Sequence, residues 1–181
     1  YLTNDITKGL VFEHTDSSTP IHTRFPEKEI KLLWDSLYVI NNVDIVLIYI
    51  YTGLRPVELL EIESCNVHLD EKYMIGGAKT EAGKNRIIPI HDAILPLIEN
   101  RLANNRKYLI TNKFGNHYTR AVYHNSNWNT VMQRLNLDHA PHDCRYTFAY
   151  LADKIDMNET CKKLIMGHAL ANKSGTAFKT G

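Results

Sequence analysis

The chain has 181 residues, 44% of them hydrophobic and 23% charged, with a formal net charge of +1. That composition fits an ordinary soluble globular protein with a sizeable core, and no apolar run or leading basic-plus-apolar segment suggests a membrane span or signal peptide. Cys65, Cys144 and Cys161 are odd in number and widely spaced, which predicts reduced thiols in a cytosolic setting, with neither a disulfide framework nor a metal (zinc) site.

Residues 1–24 are polar with little periodicity, and are expected to form a linker or a surface arm. Pro26–Glu27–Lys28–Glu29 opens a helix with Ile30, Leu33, Trp34 and Leu37 as its core stripe. Val43 to Tyr51 is apolar nearly all round, as in a fully buried helix, and Gly53 ends it. Pro56 disfavours helical geometry at Arg55 but suits the first turn of a new helix, whose apolar face is Val57, Leu59, Leu60 and Ile62. The period then changes. Asn66–Leu69, Tyr73–Gly77 and Arg86–Ile90 are predicted as three short strands, with turns at 70–72 and 81–83, the second of them exposed and mobile. Asp92 is expected to cap a helix carrying Ile94, Leu95, Leu97, Ile98 and Leu102. Tyr108–Ile110 and a turn at Gly115 precede a helix from about Thr119 to Leu135, with Val122, Trp128, Val131, Met132 and Leu135 inward. Pro141–His142–Asp143 begins another, burying Phe148 and Leu151, and Asn158 caps a last one that stops at Gly167. The fold class expected is mainly α with a small antiparallel β-sheet (α+β).

Four places hold chemistry that packing alone would not require. Arg55 sits at a proline-marked bend with Glu58 one turn on, suited to bidentate anion recognition or to a plain structural ion pair. Lys79, in the hairpin Gly76–Ile90, can reach an anion or donate a proton, or can be a solvated surface lysine. His142 and Arg145, at i and i+3 near a helix start, share one face close to the positive end of the helix dipole, suited to a phosphate, or are a capping histidine beside a surface arginine. His168 follows a helix end, where capping is its ordinary role.

Together TGLRPVEL, a lysine hairpin leading into RIIPI, H-x-x-R and GH, in this order and at these separations, resemble the catalytic domain of the tyrosine recombinase (phage integrase) family. The resemblance runs from about Pro26 to the end. It implies site-specific DNA recombination, cutting and rejoining double-stranded DNA through a 3′-phosphotyrosine intermediate, without a metal or other cofactor. Arg55 and Arg145 would clamp the phosphate, Lys79 would be the general acid, His142 a base or phosphate ligand, and His168 a hydrogen-bond donor to the phosphate. Glu58 matches the acidic brace of the first arginine, while Lys84 and Arg86, in the same hairpin, are the runner-up candidates for the lysine role and expected DNA contacts. Tyr146 stands where a histidine is often found, and is expected to pack or touch the DNA backbone. The resemblance also implies a tetramer on paired DNA sites. Residues 1–24 would be an interdomain linker and 25–181 a catalytic domain without its C-terminal tail, the sequence being a piece of a longer protein.

The departure is the nucleophile. Counting on from His168 reaches Phe178, which has no oxygen to attack with. A Tyr→Phe change, a tyrosine beyond Gly181, and natural inactivity are the three explanations, the second being preferred because Lys179–Thr180–Gly181 matches the family poorly. The alternatives in function are a type IB topoisomerase-like enzyme and a DNA-binding module that lacks its nucleophile.

Overall fold

The structure is a computed structural model that describes residues 23–77 and 84–168. Its centre is α2 (Val43–Thr52), with Val43, Ile45, Val46, Leu47, Ile48, Tyr49, Ile50 and Thr52 all buried. A helix apolar all round can be stable only if covered on every side. Here α1 (Glu27–Asp35), α4 (Leu95–Leu102) and α7 (Asp143–Lys154) do the covering.

Gly53 terminates α2 in the left-handed region, φ +62°, its N–H donating to the Tyr49 carbonyl at 3.1 Å. A Cβ at this position would lie 2.5 Å from the Phe148 ring, so glycine also allows α7 to approach. The short α3 (Pro56–Leu60) then starts with proline at its first position.

Three strands follow, β1 (Val67–His68), β2 (Tyr73–Gly76) and β3 (Arg86–Pro89), antiparallel and in sequence order. Met74 pairs with Ile88 and Gly76 with Arg86. Along β3, Arg86 and Ile88 are buried while Ile87 and Pro89 are exposed, the two-residue alternation of a half-buried strand. The turn at 81–83, expected to be exposed and mobile, lies outside the described residues, as does the arm before residue 23.

Two local expectations are corrected. The turn before α4 is capped by His91, whose Nδ1 accepts from the Ala93 N–H at 3.1 Å, whereas Asp92 instead pairs with Lys72 at 2.7 Å. The long helix after Thr119 is not uniform: α5 (Arg120–Tyr123) and α6 (Asn129–Leu135) are joined by a π-helical turn over His124–Trp128. A π turn takes up an extra residue and so rotates one half of the helix against the other. Tyr123 thus points into the core at 2% exposure, and Val122 faces outward at 52%. The final helix, α8 (Glu159–Met166), is capped as expected: Asn158 Oδ1 accepts from the amides of Thr160 and Cys161, and Gly167 closes it at φ +64°. Among the described residues no helix is long and apolar enough to cross a membrane.

A buried clasp ties the segment just before α1 to α7. Phe25 stacks on His139 at 3.8 Å between ring centroids. The His139 ring nitrogens lie 2.8 Å from a Glu29 carboxylate oxygen and 3.1 Å from one of Asp143, and the Phe25 N–H donates to Thr147 Oγ1 at 2.9 Å.

Candidate active site

Arg55 is held at the bend between α2 and α3. Glu58, one turn on, accepts from the Arg55 backbone amide at 2.8 Å and from its Nη1 at 3.0 Å. A single carboxylate thus caps α3 and fixes the direction of the guanidinium. About a quarter of the Arg55 side chain remains exposed, whereas Glu58 is 2% exposed.

Glu58 has a second guanidinium. Arg86 donates to it through Nη1 at 3.1 Å and Nη2 at 2.7 Å, and through Nε to the Ile165 carbonyl at 2.8 Å. Burial on its own would push the Glu58 carboxyl up. The hydrogen bond from Arg86, then that from the Arg55 amide, outweigh it and leave the group below the usual carboxylate range. Arg86, expected as a DNA-facing cation, is turned inward instead, with a side chain 6% exposed. The physical reason is strand parity, because Arg86 shares the inner face of β3 with Ile88.

Arg145 lies on the first turn of α7, buried at 4% exposure. Its Nη1 donates to the Gly53 carbonyl at 2.6 Å, and its Nη2 to the Met166 carbonyl and to His168 Nε2, the latter at 2.8 Å. The guanidinium therefore joins the end of α2, two residues before Arg55, to the end of α8. Burial, then the neighbouring charge of Arg55, brings Arg145 down to about 10, which still leaves it a cation at neutral pH. Partial burial, then Arg145 and Arg55, lowers His168 below the ordinary histidine range. His168 is consequently neutral at pH 7, with Nε2 accepting from Arg145 and the proton on Nδ1.

His142 is the residue before α7, half-buried, with its ring 5.5 Å from that of Tyr146 in an edge-on arrangement. It shares with Arg55 a cleft of about 600 Å³ whose walls also carry Glu58, Pro141, Arg120 and His124. Arg120 and His124 were not singled out by the sequence. Their signal is an arginine and a histidine at i and i+4 beginning the helix that Thr119 caps.

Arg55, Glu58, His142, Arg145 and His168 are thus brought together, and Tyr146 lies on their rim at 46% exposure. Lys84 is exposed in the turn just before β3. Lys79 and Phe178 lie outside the described residues. What the cluster can do chemically follows from its charge. Arg55 and His142 line one cleft, and Arg145, bonded to His168, lies close enough to Arg55 to feel its charge, an arrangement that fits a tetrahedral oxyanion.

The chain belongs to the phage integrase family, whose sequence profile matches residues 23–172. No curated protein is similar enough in sequence to match. Among solved structures the fold is similar to that of the XerA recombinase, with a TM-score of 0.70 and 21% identity, over 84% of this chain and 59% of that one. It is also similar to the Tn1549 transposon integrase in complex with circular intermediate DNA (TM-score 0.73, 18% identity, 86% and 60% covered). The lambda integrase tetramer bound to a Holliday junction is a third (TM-score 0.64, 12% identity, 85% and 49% covered). The chain therefore spans about 60% of the length of the first two and half of the third.

Proposed function

We propose that the chain is the catalytic domain of a site-specific recombinase that cuts and rejoins double-stranded DNA through a 3′-phosphotyrosine intermediate. The observation that carries this is the Arg55–Arg145–His168 cluster, assembled from three helix ends around one carboxylate-braced bend in a chain of the phage integrase family. In this reading Arg55 and Arg145 bind the two non-bridging oxygens of the scissile phosphate. As a tyrosine oxygen attacks, negative charge grows on those oxygens, and prepaid guanidinium charge stabilises it without reorganisation. The bond to the 5′-oxygen breaks as Lys79 delivers a proton to it. His142 takes the proton of the attacking hydroxyl, and neutral His168 donates Nδ1–H or, on rotation, shares the phosphate with Arg145. Attack by a partner strand's 5′-hydroxyl on the phosphotyrosine reverses the step, so no outside energy source is required.

The cleft that runs from Arg55 to Arg120 and His124 extends the cationic surface beyond one phosphate, consistent with a duplex lying across α3, α5 and the start of α7. DNA-bound relatives and a tetrameric one on a Holliday junction support a tetramer on paired sites as the working assembly. Residues 1–24 then serve as the linker to a second DNA-gripping domain. The attacking group is a tyrosine supplied at or after position 178.

The test is a suicide-substrate assay on the full-length protein, with the adduct mapped by mass spectrometry. A covalent 3′ adduct on one tyrosine is the expected result. DNA binding with no adduct on any substrate would leave a DNA-binding module that has lost its nucleophile. Phe178→Tyr separates the remaining cases: it creates cleavage where the residue occupies the nucleophile's place and changes nothing where the tyrosine lies further on.

A further inference from the structure

All three guanidinium nitrogens of Arg86 donate to the protein's own frame. Its two terminal nitrogens grip both oxygens of Glu58, and its Nε takes the carbonyl of Ile165 in the last turn of α8. Both charged partners are almost fully buried, at 6% and 2% side-chain exposure. Burying an ion pair this deeply gains little stability over an apolar pair of the same shape, so its value lies in where it holds things. Three elements meet at this one side chain. Through Glu58 it reaches Arg55, which shares the carboxylate. Through Ile165 it reaches the end of α8, where Met166 and His168 receive Arg145. Its own backbone is in β3, paired with Gly76 of β2.

We infer that Arg86 is a positioning residue of the recombinase centre, fixing Arg55 against the His168 end of α8. The inference rests on the recombinase reading above, and it removes Arg86 from the residues that face DNA. A planar fork with three donor nitrogens can satisfy Glu58 and Ile165 at once; a single ammonium nitrogen at the end of a flexible stem keeps the charge and cannot span both. Arg86→Lys is therefore the informative substitution, since it leaves no uncompensated buried carboxylate.

The experiment uses the full-length protein and single-turnover adduct formation over a range of DNA concentrations, at a temperature well below the unfolding midpoint of every variant. Arg86→Lys is expected to keep its DNA affinity within about threefold and to lose about 10²-fold in maximal rate, the scale of an ångström-level misplacement of catalytic groups. Glu58→Gln should show the same split, and the double variant should lose no more than the worse single one, because both act through one connection. A maximal rate within about twofold of wild type, or a loss confined to DNA affinity, would overturn the inference. Should Arg86→Lys not fold, Arg86→Gln, which keeps one donor to Glu58, is read by the same two parameters. Failure of the wild-type protein to form an adduct would instead overturn the functional reading itself.

Discussion

His168 and Arg145 show how far a single contact governs protonation. His168 sits below the ordinary histidine range because partial burial disfavours its charged form and protonation would also set an imidazolium against the Arg145 guanidinium 2.8 Å away. The folded protein then holds fewer protons on this group than the unfolded chain, between the lowered value and the ordinary one near 6.5. In that window stability rises with pH, and it is lost as pH falls from about 6.5 through the lowered value. An NMR titration of His168 should therefore give a midpoint below 6.5, and Arg55→Gln should move it upward. A midpoint at or above the ordinary value would break this account of the contact. The sequence made Arg55, Glu58, His142 and Arg145 legible for local reasons: a proline fixes the bend, and spacings of three set partners on one helix face. Arg86 was misplaced because its surroundings in sequence, Lys84–Asn85–Arg86, are those of an exposed hairpin. Only the parity shared with Ile88 signalled that it points inward, and parity says nothing of a carboxylate 28 residues earlier in the chain.

At the scale of elements, helix ends rather than helix faces build the site. The C-terminus of α2, the N-terminus of α3, the start of α7 and the C-terminus of α8 converge, and left-handed glycines at 53 and 167 let two of them stop where they do. Gly53→Ala should be costly on two counts, a positive φ and a Cβ 2.5 Å from the Phe148 ring. A loss of about 2 kcal/mol or more in urea unfolding is expected; a loss of only a few tenths would mean that Phe148 yields without strain. Asn158→Ala removes a cap that satisfies two amides of α8 and should cost about 1 kcal/mol. Retained stability would show that the end of α8 is held from the site instead. The element boundaries were legible wherever glycine, proline or asparagine punctuates the chain. The π turn was not, because His124–Trp128 carries neither proline nor glycine and its extra residue is set by how Tyr123 and Trp128 both fit the core. For the same reason Val122 was assigned to the wrong face.

At the scale of the molecule, a chain of near-zero net charge sets Arg55, Arg120, His124 and His142 around one cleft. Binding to duplex DNA should then be weak, indifferent to sequence and steeply salt-dependent, since each neutralised phosphate releases counterions. A log–log plot of affinity against salt with no slope would contradict that surface. The whole arrangement makes one claim, that Arg55 and Arg145 hold the phosphate under attack. It is tested most directly by comparing covalent adduct formation on a suicide DNA substrate for the full-length protein and its Arg145→Lys and Arg55→Gln variants. The account predicts a 3′-phosphotyrosine adduct in wild type and a fall of about 10² to 10³ in single-turnover rate for each variant, the size seen when an oxyanion donor is lost. Adduct formation at an undiminished rate in either variant would contradict it.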